Sequence, residues 1–111
     1  MKIISRKEIR YYTDEAGRCF YLEWLSKLDL VTRVIITKRV DRLSEGNPGH
    51  ARPVGNGVHE LKIDCGPGYR VYFANDGHSL VLILAGGSKK RQSKDVNMAK
   101  SFWIDWNNSA E

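Results

Sequence analysis

The chain is poor in the residues that mark several whole classes of protein. Its two cysteines, Cys19 and Cys65, lie far apart and in no Cys-x-x-Cys or Cys/His grouping, so neither a disulfide framework nor a zinc site is expected. Only three prolines occur in 111 residues, and no repeat or low-complexity tract is visible, which excludes collagen-like and linker-rich chains. The longest apolar run, Leu80 to Ala85, has six residues, far short of the roughly 18 that a membrane-spanning helix needs. The first ten residues carry two lysines and two arginines with no apolar segment behind them, so no secretory leader is expected. The cytoplasm is the expected compartment.

What is present fits one small globular domain. Hydrophobic residues make up 41% and charged residues 28%, and the length allows a single core. Eighteen basic residues against thirteen acidic ones give a net charge of +5, which makes a polyanion the first partner to consider. The excess is local: four of the six residues from Lys89 to Lys94 are Lys or Arg, and none is acidic.

Periodicity gives the order of elements. Lys7 to Thr13 alternates like a strand, and a turn follows near Asp14 to Gly17. Phe20, Trp24, Leu25 and Leu28 then form the stripe of an amphipathic helix. Asp29 can cap a second helix, whose apolar positions Val31, Val34, Ile35, Val40 and Leu43 end at Gly46 and Asn47-Pro48-Gly49. The polar, turn-rich stretch from Asn47 to Gly57 is expected to be an irregular binding loop. Val58 to Ile63 and Tyr69 to Phe73 flank a five-residue turn, Asp64 to Gly68. After Asn75-Asp76-Gly77, Leu80 to Ala85 reads as a central strand buried on both faces. Ser93 can cap a last helix carrying Val96, Ala99, Trp103 and Trp106, with Asp95 in its first turn. The order β-α-α-β-β-β-α implies an α+β fold, a mainly antiparallel sheet covered on one face by a helical hairpin.

Strand alternation splits the Val58–Phe73 hairpin into an apolar face, Leu61, Ile63, Val71 and Phe73, and a polar face, Glu60, Lys62, Arg70 and Tyr72, expected to be solvated. A turn symmetric about Gly66 sets Lys62 opposite Arg70. Two facing cations are destabilising unless an anion lies between them or Glu60, diagonal to Arg70, neutralises the pair. His59 has the parity of the apolar face and reads as a core-edge residue, while His50 and His78 stand in no catalytic or metal-ligand spacing. Gly86-Gly87 lacks the spacing of a nucleotide loop and reads as a flexible exit from its strand. No cofactor or metal is called for.

Phe20-x-x-x-Trp24-Leu25-x-x-Leu28, Gly57 to Ile63, Gly66-Pro67-Gly68-Tyr69-Arg70-Val71-Tyr72-Phe73, and Leu84 to Lys90, closing on Asp95-Val96 and Ala99, together resemble the RelE/HigB superfamily of toxin–antitoxin killer proteins, in its phage-derived addiction-module branch. The resemblance implies a metal-independent endoribonuclease, an mRNA interferase that cuts mRNA on the ribosome and inhibits translation. It also implies silencing by a cognate antitoxin, a HigA-like protein with a helix-turn-helix domain. Position by position, Lys62 falls where such enzymes carry a general base, Arg70 where an arginine stabilises the strained phosphate, and Lys90 where a basic residue serves the leaving group. Glu60 is a second candidate base, with Lys62 then clamping phosphate. Lys89, Arg91, Lys94, Tyr72 and Arg52 are the expected RNA contacts. The chain departs from the pattern in having Glu60 where a further lysine is common and Val96 where a tyrosine often stands, and it lacks the histidine-rich C-terminus of some HigB proteins. Two other readings use the same features without catalysis: a ParE-like poison of DNA gyrase and a basic RNA-binding module. The aromatic last helix, with Phe102, Trp103 and Trp106, is a candidate anchor for the antitoxin.

Overall fold

The computed structural model describes residues 6–109. Its elements run β1 (Glu8–Tyr11), α1 (Phe20–Ser26), α2 (Leu30–Ser44), β2 (Ala51–Gly55), β3 (Val58–Ile63), β4 (Tyr69–Asp76), β5 (Leu80–Ser88), a 3-10 turn (Lys89–Arg91) and α3 (Gln92–Ser109). They build an α+β domain around one five-stranded sheet in the order β1-β5-β4-β3-β2, in which only the β1/β5 pairing is parallel.

The α1–α2 hairpin covers one face of this sheet. Asp29 caps α2 as its position suggests, its carboxylate accepting from the Thr32 N–H at 3.2 Å and the Thr32 hydroxyl at 2.6 Å. The buried stripe of α2 is Thr32, Ile36, Val40 and Leu43, of which the last three pack with Leu61, Ile63, Val71, Phe73, Val81 and Ile83. Val31, Val34 and Ile35, expected in the core, lie outside it. The valine- and isoleucine-rich start of this helix fits two overlapping helical stripes, and the sheet selects the one in register with Val40 and Leu43.

One strand differs from expectation. The stretch Asn47 to Gly57 is not irregular throughout: β2 pairs antiparallel with β3 along the sheet edge, with a register shift between Pro53 and Gly55. An edge strand tolerates Pro53 because an N–H there has no second strand to serve. Strand β5 is an interior strand as expected, paired with β1 and β4 and buried on both faces over most of its length.

The second face is covered as well, by α3. Ala99, Val96, Met98, Phe102, Trp103 and Trp106 pack with Tyr12, Val58, Tyr72, Ala74, Leu82, Leu84 and Ala85. The Trp106 indole N–H donates to Asp76 at 2.8 Å, which fixes the far end of the helix. The aromatic rings that suggested an antitoxin anchor thus pack half-buried against the protein's own sheet. The helix starts at Gln92, directly after the 3-10 turn, so Ser93 lies inside its first turn and is not its cap.

Gly86 and Gly87 are strand residues, not a flexible exit. A methyl group at Gly86 would overlap the Trp24 ring of α1, and one at Gly87 would overlap the Asp95 carboxylate of α3. Consecutive glycines thus let the two helical layers approach the end of β5 from opposite sides.

Candidate functional site

The β3/β4 register is the one the symmetric turn implies: Lys62 stands opposite Arg70 and Glu60 opposite Tyr72. The exposure of this face is not as expected. Glu60 is 2% exposed, Arg70 6% and Tyr72 0%, because the start of α3 lies over them; Lys62 alone of the four reaches solvent.

The burial is supported by an ion-pair cluster. Glu60 accepts from Arg52 Nε at 3.2 Å and from Gln92 Nε2 at 2.6 Å, and its Oε1 lies 3.4 Å from Arg70 Nε. The carboxylate thus offsets the charge of Arg70, so the Lys62/Arg70 juxtaposition does not leave two bare cations face to face. Arg70 also donates from Nη1 to the Tyr69 carbonyl at 3.1 Å. Lys62 has Asp64 Oδ1 at 3.9 Å, and its own carbonyl accepts from Arg39 Nη2 at 3.3 Å.

An open depression of about 340 Å³ at the Asp64–Gly68 turn is lined by Lys62, Arg70 and Lys89 together with turn residues. The Lys89 N–H donates to the Gly68 carbonyl at 3.1 Å, which ties the basic run to this turn. Lys62 also lines an adjoining hollow with His50, Arg52 and Glu60, and Arg52 continues into a third with Gln92, Ser93 and Asn97. The result is a trough along the sheet margin with Lys89, Arg70, Lys62 and Arg52 in series.

The remaining candidates are placed less centrally. Lys90 is exposed on the 3-10 turn and does not line the depression that Lys62, Arg70 and Lys89 share. Arg91 faces a different cleft, between α1 and α3, and Lys94 is exposed on α3. Tyr72 cannot stack on a ligand in this arrangement, since its ring is buried under α3. Burial, with the charges of Glu60 and Asp95 nearby, raises the pKa of its hydroxyl, which has no hydrogen-bond partner among the described residues. Asp95 is buried too, and desolvation raises its carboxyl pKa against the opposing pull of Arg91 and Lys94. Sequence reasoning missed Gln92, whose contact with Glu60 spans 32 positions and leaves no local signal. Among the described residues no group of three or more His, Cys, Asp or Glu side chains is placed to hold a metal.

The profile of the family described as phage-derived protein Gp49-like (DUF891) matches residues 23–100. The chain belongs to this family. An uncharacterized protein of Haemophilus influenzae is 47% identical over 78 residues, covering 69% of this chain and 79% of that protein. Among solved structures, the E. coli toxin RelE, as an arginine double mutant in the free state, superposes with a TM-score of 0.58 at 17% identity, covering 83% of this chain and 96% of RelE. The Gp49-like chain therefore has the RelE fold and belongs to a phage-derived family, as the resemblance of its sequence implies.

Proposed function

We propose that this Gp49-like protein is the toxin of a type II toxin–antitoxin module and cuts mRNA bound to the ribosome. The observation that supports this reading best is the convergence of Lys62, Arg70 and Lys89 on one open depression, with Arg70 held by Glu60. Cleavage by the neighbouring 2′-hydroxyl needs a proton removed, charge on the phosphate oxygens stabilised and a proton given to the departing 5′-oxygen. Lys62, in its unprotonated form, takes the 2′-hydroxyl proton. The new bond from that oxygen to phosphorus forms as the bond to the 5′-oxygen breaks, leaving a 2′,3′-cyclic phosphate. Arg70 stabilises the extra charge, and its restraint by Glu60 lowers the reorganisation the step requires. One protonated lysine of the basic run gives its proton to the leaving oxygen; Lys89, which lines the depression, is placed for this, whereas Lys90, to which the resemblance gives the role, stands outside it. Glu60 already serves Arg52, Arg70 and Gln92, which favours a positioning role over that of base. Arg52, Arg91 and Lys94 contribute phosphate contacts and salt dependence.

The test is induction in cells with mapping of mRNA 5′ ends, alongside an assay for gyrase-linked DNA breaks. Cuts in phase with codons are expected. Lys62→Ala and Arg70→Lys should each reduce cutting by about 10²–10³-fold, the range seen when one charge-stabilising donor is removed. DNA breaks with intact mRNA would instead establish a gyrase poison, and wild-type cutting by both folded variants would overturn the site.

A further inference from the structure

Strand β1 accompanies β5 only from Leu80 to Ile83, and the Tyr12 N–H makes the last bond between them, to the Ile83 carbonyl at 2.9 Å. From Leu84 to Ser88 that side of β5 has no strand beside it, while β4 continues on the other side. Register tells which peptide groups face the open side. The Lys89 N–H bonds the Gly68 carbonyl in continuation of the pairs Tyr69/Ser88, Arg70/Gly87 and Val71/Gly86. Bonded and non-bonded pairs alternate along an antiparallel ladder, so Gly87 bonds Arg70, and the N–H and C=O groups of Gly86 and Ser88 point away from β4. No hydrogen bond from the described residues reaches them on that side. Gly86, Gly87 and Ser88 line the cleft between α1 and α3, which has a volume of about 410 Å³ and apolar walls of Phe20, Trp24, Tyr69 and Met98.

We propose that this cleft receives an unstacked purine base of the RNA strand whose backbone lies in the Lys62/Arg70/Lys89 depression. The Gly86 carbonyl and the Ser88 N–H are neighbours along the open edge and form an acceptor–donor pair, the complement of a base's Watson–Crick edge. Flat rings suit the aromatic and thioether walls, and a purine covers more of them than a pyrimidine does. Charge sets the direction of entry. Asp95, on the inner wall, is 3% exposed and its Oδ2 has no hydrogen-bond partner among the described residues, so the ionised carboxylate keeps phosphate out of the interior. Lys27 and Arg91 line the solvent side, exposed and with no ion-pair partner among the described residues, and hold the phosphate there.

The cleft continues the cationic trough past Lys89. Tyr69 and Ser88 line the cleft, their chain neighbours Gly68, Arg70 and Lys89 line the depression, and the 3-10 turn Lys89–Arg91 serves both. Sites one residue apart on the same two strands suit successive nucleotides, so a base held in the cleft makes cutting selective for a purine beside the broken bond. This rests on the reading of the chain as an mRNA-cutting enzyme.

The experiment titrates the purified full chain with AMP, GMP, CMP, UMP and inorganic phosphate, following the Gly86 amide by NMR, and maps mRNA 5′ ends in cells for the same variants. AMP and GMP should shift this signal and bind about tenfold more tightly than CMP or UMP, and wild-type cuts should carry a purine beside the broken bond. Ser88→Pro deletes the donor at a residue whose φ of −83° and ψ of 160° lie close to the proline range. It should weaken AMP binding about tenfold and level the purine preference while cutting persists. Ser88→Ala, which keeps the N–H, should match wild type. Lys27→Glu, an exposed change, should keep the fold and weaken both purine nucleotides about fivefold, which tests the site even if Ser88→Pro fails to fold. No shift with AMP or GMP, the same shift with phosphate alone, or unchanged affinity in Lys27→Glu would overturn the proposal. So would purine binding with an unchanged cut pattern in folded Ser88→Pro, which would make a free nucleotide the occupant. Purine binding by a chain that cuts no mRNA would overturn the proposed function and leave the cleft standing as a purine site.

Discussion

On the face under the α1–α2 hairpin, Tyr21, Ile36, Val40, Leu43, Leu61, Ile63, Val71, Phe73, Val81 and Ile83 pack with no charged residue buried among them. On the face under α3, Glu60, Arg70 and Asp95 are buried beside Tyr72, and Arg70 Nε, Tyr72 Oη and Asp95 Oδ2 have no hydrogen-bond partner among the described residues. The sheet is the same and the strands are shared, so the difference comes from alternate residues. The dry face supplies the apolar burial that a small domain needs. The other face carries polar groups whose desolvation opposes folding, which is the arrangement expected where side chains are held for chemistry.

The largest effects should come from two adjacent residues, Glu60 and Leu61, which point to opposite faces. Glu60→Leu leaves the buried Arg70 without its counter-charge, and should cost about 3–5 kcal/mol. Adding Arg70→Met removes the stranded charge and should recover most of that loss, so a double-mutant cycle by urea denaturation should show strong coupling. Leu61→Ala on the dry face should cost about 2–5 kcal/mol through the cavity it leaves, and Arg70→Met should not relieve it. If Glu60→Leu were equally costly with and without Arg70, the ion pair would not be what holds this face. Lys62→Ala, at a half-exposed side chain, should change stability by no more than about 0.5 kcal/mol.

The paired glycines at the end of β5 give a smaller and sharper contrast. Gly86→Ala and Gly87→Ala should each cost about 1–3 kcal/mol by overpacking, since a methyl meets Trp24 at one position and Asp95 at the next. The relief should be specific. Trp24→Leu should rescue Gly86→Ala and not Gly87→Ala, and Asp95→Ala should do the reverse. Rescue of both by either change would mean that the glycines serve the backbone and not the two helical layers.

The same contrast explains what could be read from the sequence. Alternation in Val58–Ile63 and Tyr69–Phe73 determines which residues share a face, and the five-residue turn determines that Lys62 meets Arg70; both are local properties. Whether a face is covered is not local. The burial of Glu60, Arg70 and Tyr72 depends on α3 folding back over the sheet, and Gln92 reaches Glu60 from 32 positions away. The apolar pattern of α2 was ambiguous for the same reason: a stripe is selected by the surface it meets. Edge strand β2 was hidden because Pro53 and the surrounding glycines have poor strand propensity, which the free hydrogen-bonding edge of β3 overrides.

The smallest expected effect compares two carboxylates near helix starts, one serving each face. Asp29 at the start of α2 accepts from the Thr32 hydroxyl and N–H, and these bonds hold its pKa below the usual 3.8. Its native form therefore binds protons less readily than the unfolded chain, and the stability it contributes is present above about pH 3.8 and lost as the pH falls through the native value. Asp95 in the first turn of α3 has the opposite sign. Desolvation raises its native pKa above 3.8, so the native state binds protons more readily than the unfolded chain does. Stability from this group is complete below about pH 3.8 and is lost as the pH rises through the raised value. Urea midpoints measured from about pH 3 to pH 7 should separate the two. Asp29→Asn, which keeps a capping side chain, should make the acid side of the profile shallower. Asp95→Asn should raise the midpoint toward neutral pH relative to wild type and leave it nearly unchanged at the acid end. Difference curves of the same sign for both variants would show that Asp95 is compensated by a partner when it ionises, and that the polar face is not the more strained of the two.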